Sequence, residues 1–360
     1  MVRLQTSFDY HNLLVTGGCG FIGTNFIRYL MEQQDFGGRI INLDKLTYAG
    51  NPHNLADLSV QFPKRYVFVR GDVAEVKVLA RIFEEYEIDA VCHFAAESHV
   101  DRSIKKPDEF IRTNIVGTFQ LLERSLKQKN FRRFHHISTD EVFGSLGQEG
   151  YFTEETPYHP RNPYSASKAS SDHLVRAYHH TYGLPITISN CSNNYGPFQF
   201  PEKLIPLMIL NGLEDKPLPV YGDGKYIRDW LYVTDHCHAI WLIMKQGLDG
   251  ETYNIGGTSE KENIYIVHKI CDLLDQVVGS TTIPSRRALI RFVEDRPGHD
   301  RRYAIDFSKI ENTLNWSPQE SIDSGLLKTV QWYIQNQDWV NQVRTGEYRT
   351  WIDQHYGQLE

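Results

Sequence analysis

The stretch Asn12-Leu13-Leu14-Val15-Thr16-Gly17-Gly18-Cys19-Gly20-Phe21-Ile22-Gly23 decides the fold. A short apolar run predicts a strand, and the glycines after it satisfy both G-x-G-x-x-G and G-x-x-G-x-x-G before a helical pattern begins near Phe21. Glycines allow a tight turn and let backbone N–H groups approach a pyrophosphate at a helix N-terminus. The alternative, a glycine turn that serves only strand–helix packing, is disfavoured by the residues further along the chain.

Four more short apolar runs, each followed by an amphipathic segment, repeat this rhythm over the first half of the chain. They predict right-handed βαβ crossovers and an α/β fold with a Rossmann-type doubly wound parallel sheet, whose ligands lie at the carboxyl ends of the strands. Proline, glycine and aromatic residues become frequent after residue 192, which predicts a smaller mixed α/β C-terminal lobe. We expect a dinucleotide-binding domain over residues 1–192, rejoined by about 233–259, and a substrate-binding domain over 193–360.

Composition excludes several classes of partner. The 360 residues are 41% hydrophobic and carry a formal net charge of −7, so no basic surface is expected to bind nucleic acid. No apolar run approaches the roughly 18 residues of a membrane span, and the N-terminus lacks the apolar core of a signal peptide. Five scattered cysteines without a C-x-x-C pair favour reduced thiols. We therefore expect a cytoplasmic protein with no membrane or nucleic-acid partner.

Asp44 ends the second predicted strand, about the ~20 residues after the glycine turn at which a carboxylate accepts the ribose hydroxyls of a dinucleotide. A carboxylate there repels a 2′-phosphate, which favours NAD over NADP. Asp72 closes the third strand and is placed to meet the adenine, while small residues after the fourth strand leave room for the cofactor. The residues expected from position alone to contact NAD are Gly17, Gly20, Phe21, Ile22, Gly23, Asp44, Asp72, Ala95 and Ala96.

The catalytic prediction rests on two groups of side chains. Tyr164 and Lys168 stand four apart at a helix start, so both fall on one face, and a nearby ammonium stabilises a phenolate that acts as a base. Thr139, Asp140 and Glu141 follow the fifth strand. An acid beside a base permits elimination of water in addition to hydride transfer, provided that one carboxyl stays protonated and the other ionised. Helix capping or solvent exposure is the alternative for the acidic pair.

The chain resembles the extended short-chain dehydrogenase/reductases and, within them, the dTDP-glucose 4,6-dehydratase family over essentially its whole length. Sugar-nucleotide epimerases share the glycine turn and the Tyr/Lys pair but lack the Asp-Glu pair, so Asp140 is the discriminating residue. Besides the glycine turn, the resemblance rests on residues 95–103, 139–141, 164–168, 192–197, 202–206, 228–230 and 295–300.

This resemblance implies a lyase that converts dTDP-glucose to dTDP-4-keto-6-deoxyglucose and water in deoxysugar biosynthesis, with NAD kept bound. Tyr164 is expected to take the proton of the sugar 4-hydroxyl, with Lys168 lowering its pKa and Thr139 hydrogen-bonding the same oxygen. Glu141 is expected to remove the carbon 5 proton, and Asp140 to protonate the departing 6-hydroxyl. Histidines lie at no metal-ligand spacing, and no metal is expected.

The resemblance also extends the expected binding site and implies a homodimer that packs helices around residues 114–126 and 165–182. The further cofactor contacts are Lys45, Thr47, Val73, Thr113, Tyr164, Lys168 and Asn194. The expected substrate contacts are Ser98, Thr139, Asn193, Lys203, Leu204, Tyr221, Arg228, Asn263, Arg296 and His299.

Three other functions stay open at this point. The first is a 4,6-dehydratase of another nucleotide sugar, since a base methyl is worth only about 1–3 kcal/mol of discrimination. The second is a nucleotide-sugar 4-epimerase, which the acidic pair disfavours. The third is a catalytically inactive NAD-sensing protein, which predicts the loss of at least one catalytic group.

Overall fold

The structure is a computed structural model that describes residues 9–33, 35–279, 283–295 and 299–344. The strands within these residues are β1 (Asn12–Thr16), β2 (Arg39–Asp44), β3 (Tyr66–Arg70), β4 (Ala90–His93), β5 (Arg133–Thr139), β6 (Ile186–Cys191), β7 (Asn193–Tyr195), β8 (Leu218–Tyr221), β9 (Ile227–Tyr232), β10 (Thr252–Ile255), β11 (Glu260–Glu262) and β12 (Ile290–Val293).

The α-helices of the same residues surround and connect these strands. They are α1 (Phe21–Glu32), α2 (Ala56–Gln61), α3 (Val76–Tyr86), α4 (Val100–Lys105), α5 (Pro107–Phe110), α6 (Thr118–Leu126), α7 (Pro163–Tyr182), α8 (Leu204–Leu213), α9 (Val233–Gln246), α10 (Asn263–Val277), α11 (Ser308–Leu314), α12 (Ile322–Gln335) and α13 (Gln337–Val343). A π-helical segment, Ile111–Gly117, leads into α6, and a 3₁₀ turn, Asp140–Phe143, follows β5.

Seven strands form one parallel sheet in the order β10-β6-β5-β4-β1-β2-β3, which confirms the predicted Rossmann-type fold. Helices cover both faces, so the central strands β4 and β5 are buried along their whole length rather than at alternate residues. β5 includes Thr139, which was expected to follow the strand, because Ser138 and Thr139 pair with Asn190 and Cys191 of β6. This extension brings the polar segment after Ile137 directly to the edge of the sheet where parallel strands end.

Helix α7 places the expected catalytic side chains. It begins at Pro163, and Asn162 caps it through a reciprocal capping box with Ser165. Gly183 ends it in the left-handed conformation, with a φ of 68°. Tyr164 therefore occupies the first turn of the helix, and Lys168 lies one turn further along the same face.

The second lobe contains two small sheets, β11-β9-β7 and β12-β8. Its core packs α8, α10 and α12 around side chains such as Met208, Ile270 and Leu326. Between these elements the chain returns to the large sheet, where β10 pairs with β6 and α9 packs in the same core as α1. No helix in the described part of the chain is both long and apolar enough to cross a membrane.

Candidate active site

The turn between β1 and α1 requires glycine for steric reasons. Gly17 has a φ of +71°, and a Cβ there would lie 2.7 Å from the backbone nitrogen of Ala95. A Cβ on Gly23 would lie 2.4 Å from the carbonyl oxygen of Gly17. The first N–H groups of α1 have no partner inside the helix and belong to residues that line a cleft, so the turn is built to receive an anionic group.

Asp44 is held in one orientation beside this turn. The N–H groups of Cys19 and Leu46 donate to its two carboxylate oxygens at 2.9 and 2.8 Å. Burial raises the pKa of Asp44 in spite of these two hydrogen bonds. Each oxygen keeps a lone pair that can accept a hydrogen bond from a ribose hydroxyl. The backbone thus fixes the carboxylate at the position where a dinucleotide ribose is expected.

Asp72 lies on the far side of the same cleft with a different electrostatic setting. Its carboxylate accepts the N–H of Ala74 at 2.9 Å and lies 3.1 Å from Nζ of Lys45. Burial raises the pKa of Asp72, but the N–H of Ala74 and the Lys45 ammonium outweigh it, so the pKa lies below its usual value. The carboxylate is therefore an acceptor for an adenine amino group.

One cleft of about 330 Å³ runs along the carboxyl ends of the strands and collects most of the predicted site. Every residue expected to contact NAD lines it, from Gly17 through Asn194, together with all five expected catalytic residues. Among the expected substrate contacts, Ser98, Thr139, Asn193 and Lys203 also line it, and Nζ of Lys203 donates to the carbonyl of Ser98 at 3.3 Å.

The remaining substrate predictions do not line this cleft. Arg296 lies outside the described residues. Leu204 is the first residue of α8. Tyr221, Asn263 and His299 lie near Tyr226 in the second lobe. These residues belong to the second lobe, where Tyr221 ends β8, Asn263 begins α10 and His299 lies in a loop, so their contact with the substrate stays a prediction.

The second-lobe group centres on Tyr226, whose ring stacks on the His299 ring with centroids 3.7 Å apart. The Tyr221 ring meets the same histidine edge-on at 6.2 Å, and the N–H of Asn263 donates to the carbonyl of Tyr226. Oδ1 of Asn263 is buried and has no hydrogen-bond partner among the described residues. Stacked aromatic rings beside an available amide oxygen suit a planar, hydrogen-bonding ligand such as a nucleobase.

Arg228 lies between the two groups. Its guanidinium donates to the carbonyls of Ile227 and Asp300 and lies 4.4 Å from the ring centre of Tyr303. Its charge also lowers the pKa of Asp140, against the larger effect of burial. The guanidinium is therefore buried close to the catalytic carboxyls, and its expected contact with a diphosphate stays a prediction.

The two adjacent carboxyls after β5 are not equivalent. Asp140 is buried, and burial raises its pKa well above the usual value, with a further contribution from the neighbouring Glu141. Oγ1 of Thr139 donates to Oδ1 of Asp140 at 3.3 Å, whereas Oδ2 has no hydrogen-bond partner among the described residues. Glu141 is partly exposed. Asp140 is therefore the protonated acid of the pair at neutral pH.

The expectation for Tyr164 needs correction. Burial raises the pKa of its phenol well above 10, and Glu141 and Cys191 add to the effect, so the protein alone does not make it a base at neutral pH. The charge of Lys168 does not outweigh burial, because its ammonium is directed at the carbonyl of Ile137, to which it donates at 2.7 Å, and lies 3.4 Å from Nε2 of His136. A buried phenolate needs another positive charge beside it.

The structure adds residues that the sequence interpretation left without a role. Glu202 lines the cleft, is buried, and accepts a hydrogen bond from the Tyr48 hydroxyl at 2.9 Å. Its only sequence signal was its place beside Lys203 in a segment that carries the resemblance. Tyr303 donates to Asp300 at 2.7 Å beside Arg228, and an isolated tyrosine in a loop gives no signal.

The histidines do not form a metal site in the described residues, where no group of three or more metal-type side chains comes together. His135 and His136 are fully buried in β5. His135 contacts Thr187 and Ser189 of β6, whereas His136 faces α7. The pair belongs to the core rather than to the surface.

Comparison with known proteins agrees with this geometry. The family model described as GDP-mannose 4,6 dehydratase matches residues 14–329. The dTDP-glucose 4,6-dehydratase of Salmonella typhimurium strain LT2 is 55% identical, covering 96% of this chain and 98% of its own.

Two solved dTDP-glucose 4,6-dehydratases have the same fold. The enzyme of Streptomyces venezuelae, solved with NAD bound, is 45% identical with a TM-score of 0.84 and covers 92% of this chain and 99% of its own. That of Bacillus anthracis, also in complex with NAD, is 46% identical with a TM-score of 0.82 and the same coverage. The chain therefore belongs to the dTDP-glucose 4,6-dehydratase family, within the extended short-chain dehydrogenase/reductases.

Proposed function

We propose that this protein is an NAD-dependent hydro-lyase that converts dTDP-glucose to dTDP-4-keto-6-deoxyglucose and water, a reaction of deoxysugar biosynthesis. The observation that carries the proposal is the pair of unlike carboxyls, a neutral buried Asp140 beside Glu141, in one cleft with Tyr164 and a dinucleotide turn. An epimerase has no use for such an acid–base pair.

The residues of the cleft fit NAD. The turn around Gly17 has no room for a Cβ, the first turn of α1 suits a pyrophosphate, and Asp44 is positioned for a ribose with free 2′- and 3′-hydroxyls. NAD, when bound, supplies the acceptor for the hydride of sugar carbon 4, the hydride that returns to carbon 6, and a positive ring that favours a nearby phenolate.

The side chains then divide the proton transfers. Tyr164 accepts the proton of the 4-hydroxyl, and Thr139 holds the same oxygen. The 4-ketone acidifies carbon 5, so Glu141 can take that proton while Asp140 gives its own to the departing 6-hydroxyl, which leaves as water. Glu141 then returns a proton to carbon 5. The proton gained by Tyr164 replaces, by way of solvent, the proton lost by Asp140, so the net change is the loss of one water.

We include in the proposal that residues 193–360 hold the nucleotide sugar and that residues 1–192, rejoined by 233–259, hold NAD. The aromatic group of Tyr221, Tyr226 and His299 supports a nucleobase site in the second lobe. The proposal also places the protein in the cytoplasm, which its five free, buried cysteines support.

A homodimer is part of the same proposal. Apolar side chains along Ile111–Gly117, α6 and the end of α7 are exposed, including Ile111, Val116, Phe119 and Tyr182. Exposed apolar residues clustered on two neighbouring helices favour association of two copies. Analytical ultracentrifugation of the wild type and of Phe119→Asp tests it: we expect a dimer and a monomer respectively, and a monomeric wild type would contradict it.

The direct test of the reaction is incubation of the purified protein with dTDP-glucose in deuterated water, without added cofactor, followed by mass spectrometry and NMR. We expect loss of one water and deuterium at carbon 5. An unchanged mass with a new 4-epimer would instead establish an epimerase. If only another nucleotide sugar is dehydrated, the substrate assignment is wrong while the reaction class holds.

A further inference from the structure

Asp172 is a fully buried carboxyl that the mechanism above does not use. Its Oδ2 accepts hydrogen bonds from the hydroxyls of Ser138 at 2.7 Å and Tyr158 at 2.9 Å. Arg176 in turn donates to the Tyr158 hydroxyl at 2.8 Å. Burial raises the pKa of Asp172, but contacts with His136, Lys168 and Ser138 outweigh it, so the pKa lies below its usual value and the group is ionised.

The strand and helix periodicities bring this carboxylate to the catalytic lysine. His136 and Ser138 are two apart in β5 and so face the same side of the sheet, against α7. Lys168 and Asp172 are four apart in α7 and so face the same side of the helix. Nε2 of His136 lies 3.1 Å from Oδ1 of Asp172 and 3.4 Å from Nζ of Lys168, between the two charges.

The groups that face Lys168 from every packed element are His93 on β4, His136 on β5, Cys191 on β6, and Tyr164 and Asp172 on α7. Burial lowers the pKa of His136 to about 4 and that of His93 well below its usual value, and it raises the pKa of Cys191 to about 12. Both histidines, the thiol and the phenol are therefore neutral. Asp172 is the ionised member of this set.

We propose that Asp172 is a positioning residue for the dehydratase reaction: through His136 and across one turn of α7 it keeps the buried Lys168 charged and fixed on the Ile137 carbonyl. The expected role of Lys168, a positive charge that together with bound NAD favours the Tyr164 phenolate, rests on the proposed function, whereas the charge coupling between Asp172 and Lys168 does not. The same carboxylate also ties α7 to Ser138, directly before the catalytic Thr139, Asp140 and Glu141.

The sign of the pH effect follows from burial. Burial lowers the pKa of Lys168 to about 8, and Asp172 opposes this shift. Removal of the carboxylate charge therefore moves the lysine pKa further down. Because the role of Lys168 requires its charged form, activity is lost as pH rises through the pKa of Lys168. The variant Asp172→Asn therefore loses activity at a lower pH than the wild type.

The test is the pH dependence of kcat/KM for dTDP-glucose across neutral and alkaline pH. In Asp172→Asn we expect the pH at which kcat/KM falls on the alkaline side, the alkaline limb of the profile, to move down by about one pH unit or more. This is the range for loss of a nearby opposite charge. Asp172→Glu should restore the limb. Tyr158→Phe removes one hydrogen bond to Asp172 but keeps its charge, so its limb should match the wild type. An unmoved limb in a folded Asp172→Asn would overturn the proposal.

A stability cycle covers the case in which Asp172→Asn folds poorly or the wild type proves inactive on dTDP-glucose. We expect the double variant Lys168→Met, Asp172→Asn to melt at a higher temperature than Asp172→Asn alone, because no unpaired charge is left buried. If the double variant melts at or below the single variant, Asp172 acts through its hydroxyl partners and not through Lys168. This readout does not depend on the reaction, so it separates failure of the inference from failure of the proposed function.

Discussion

Asp140, directly after β5, and Asp172, on α7, are both buried carboxyls, yet they differ in charge. Asp140, on the cleft side, has one long hydrogen bond from Thr139, and burial leaves it neutral. Asp172, on α7, accepts hydrogen bonds from two hydroxyls and lies 3.1 Å from Nε2 of His136, with the Lys168 ammonium beyond that histidine, and it is ionised. Burial alone therefore does not set the charge of a carboxyl; the number and sign of its neighbours do.

The neighbouring hydroxyls show how the chain separates the two settings. Ser138 donates to Asp172, and Thr139, the next residue, donates to Asp140. Consecutive residues of a strand face opposite sides, so one dipeptide serves both carboxyls. A neutral acid is suited to give a proton to a leaving group, and an ionised one is suited to hold a cation in place.

The largest effect that separates the two sites is on turnover. Asp140→Asn removes the acid that protonates the 6-hydroxyl, so dehydration should fall by about 10²–10⁴-fold, the usual contribution of a general acid. Exchange of the carbon 5 proton through Glu141 should persist, and recovered dTDP-glucose should gain deuterium in deuterated water, as NMR will show. Full activity of Asp140→Asn would show that Asp140 is not the acid.

The next effect is on stability at neutral pH. Asp172→Asn leaves a buried ammonium without its counter-charge, which should cost about 3–5 kcal/mol of unfolding free energy. Asp140→Asn replaces a neutral acid by a neutral amide of the same shape, and because the unfolded wild type ionises this carboxyl at neutral pH, we expect the variant to be at least as stable as the wild type. Chemical denaturation of both variants measures the difference. Equal losses would break the comparison.

The pH dependence of stability should differ in sign. The folded pKa of Asp172 lies below its unfolded value, so its contribution is present above the unfolded pKa and is lost as pH falls through the folded pKa. The folded pKa of Asp140 is raised, so its contribution is present below the unfolded value and is lost as pH rises. Thus acidification should narrow the gap between wild type and Asp172→Asn, while rising pH should favour Asp140→Asn over the wild type.

The smallest effect concerns the hydroxyls. Ser138→Ala removes a 2.7 Å hydrogen bond to a charged acceptor and should cost about 1.5–3 kcal/mol, whereas Thr139→Val removes a 3.3 Å bond to a neutral carboxyl and should cost about 1 kcal/mol or less. Thermal unfolding of the two variants side by side gives the ranking. A larger stability loss in Thr139→Val than in Ser138→Ala would indicate that the ionised carboxyl is Asp140 and not Asp172.

The site residues of the first lobe could be predicted from the sequence because the geometry of a parallel sheet fixes where they lie. The carboxyl ends of parallel strands lie at one edge of the sheet. The functional groups that follow these strands must therefore meet there: the glycine turn, Asp44, Asp72 and the residues after β5. No such rule governs the second lobe. There the end of β8 (Tyr221), the start of α10 (Asn263) and a loop residue (His299) meet around Tyr226, which the sequence did not single out.

The protonation states of the site residues were the other feature that the sequence alone could not predict. The residues alone predicted a pair of unlike carboxyls, and only the resemblance assigned the acid to Asp140; burial, which raises the pKa of Asp140, supplies the physical reason. The lowered phenol pKa was expected from the Tyr164–Lys168 spacing alone. That spacing does not show that Lys168 donates to the carbonyl of Ile137, or that Asp172 lies beside His136. Both are contacts between α7 and β5.

The central claim, that one buried carboxyl is neutral and the other ionised, is tested most directly by infrared difference spectroscopy at neutral pH. Subtraction of the Asp140→Asn spectrum from that of the wild type should reveal the C=O stretch of a protonated carboxyl. Subtraction of the Asp172→Asn spectrum should instead reveal carboxylate bands. Carboxylate bands in both differences would contradict the account, because Asp140 would then have no proton to give.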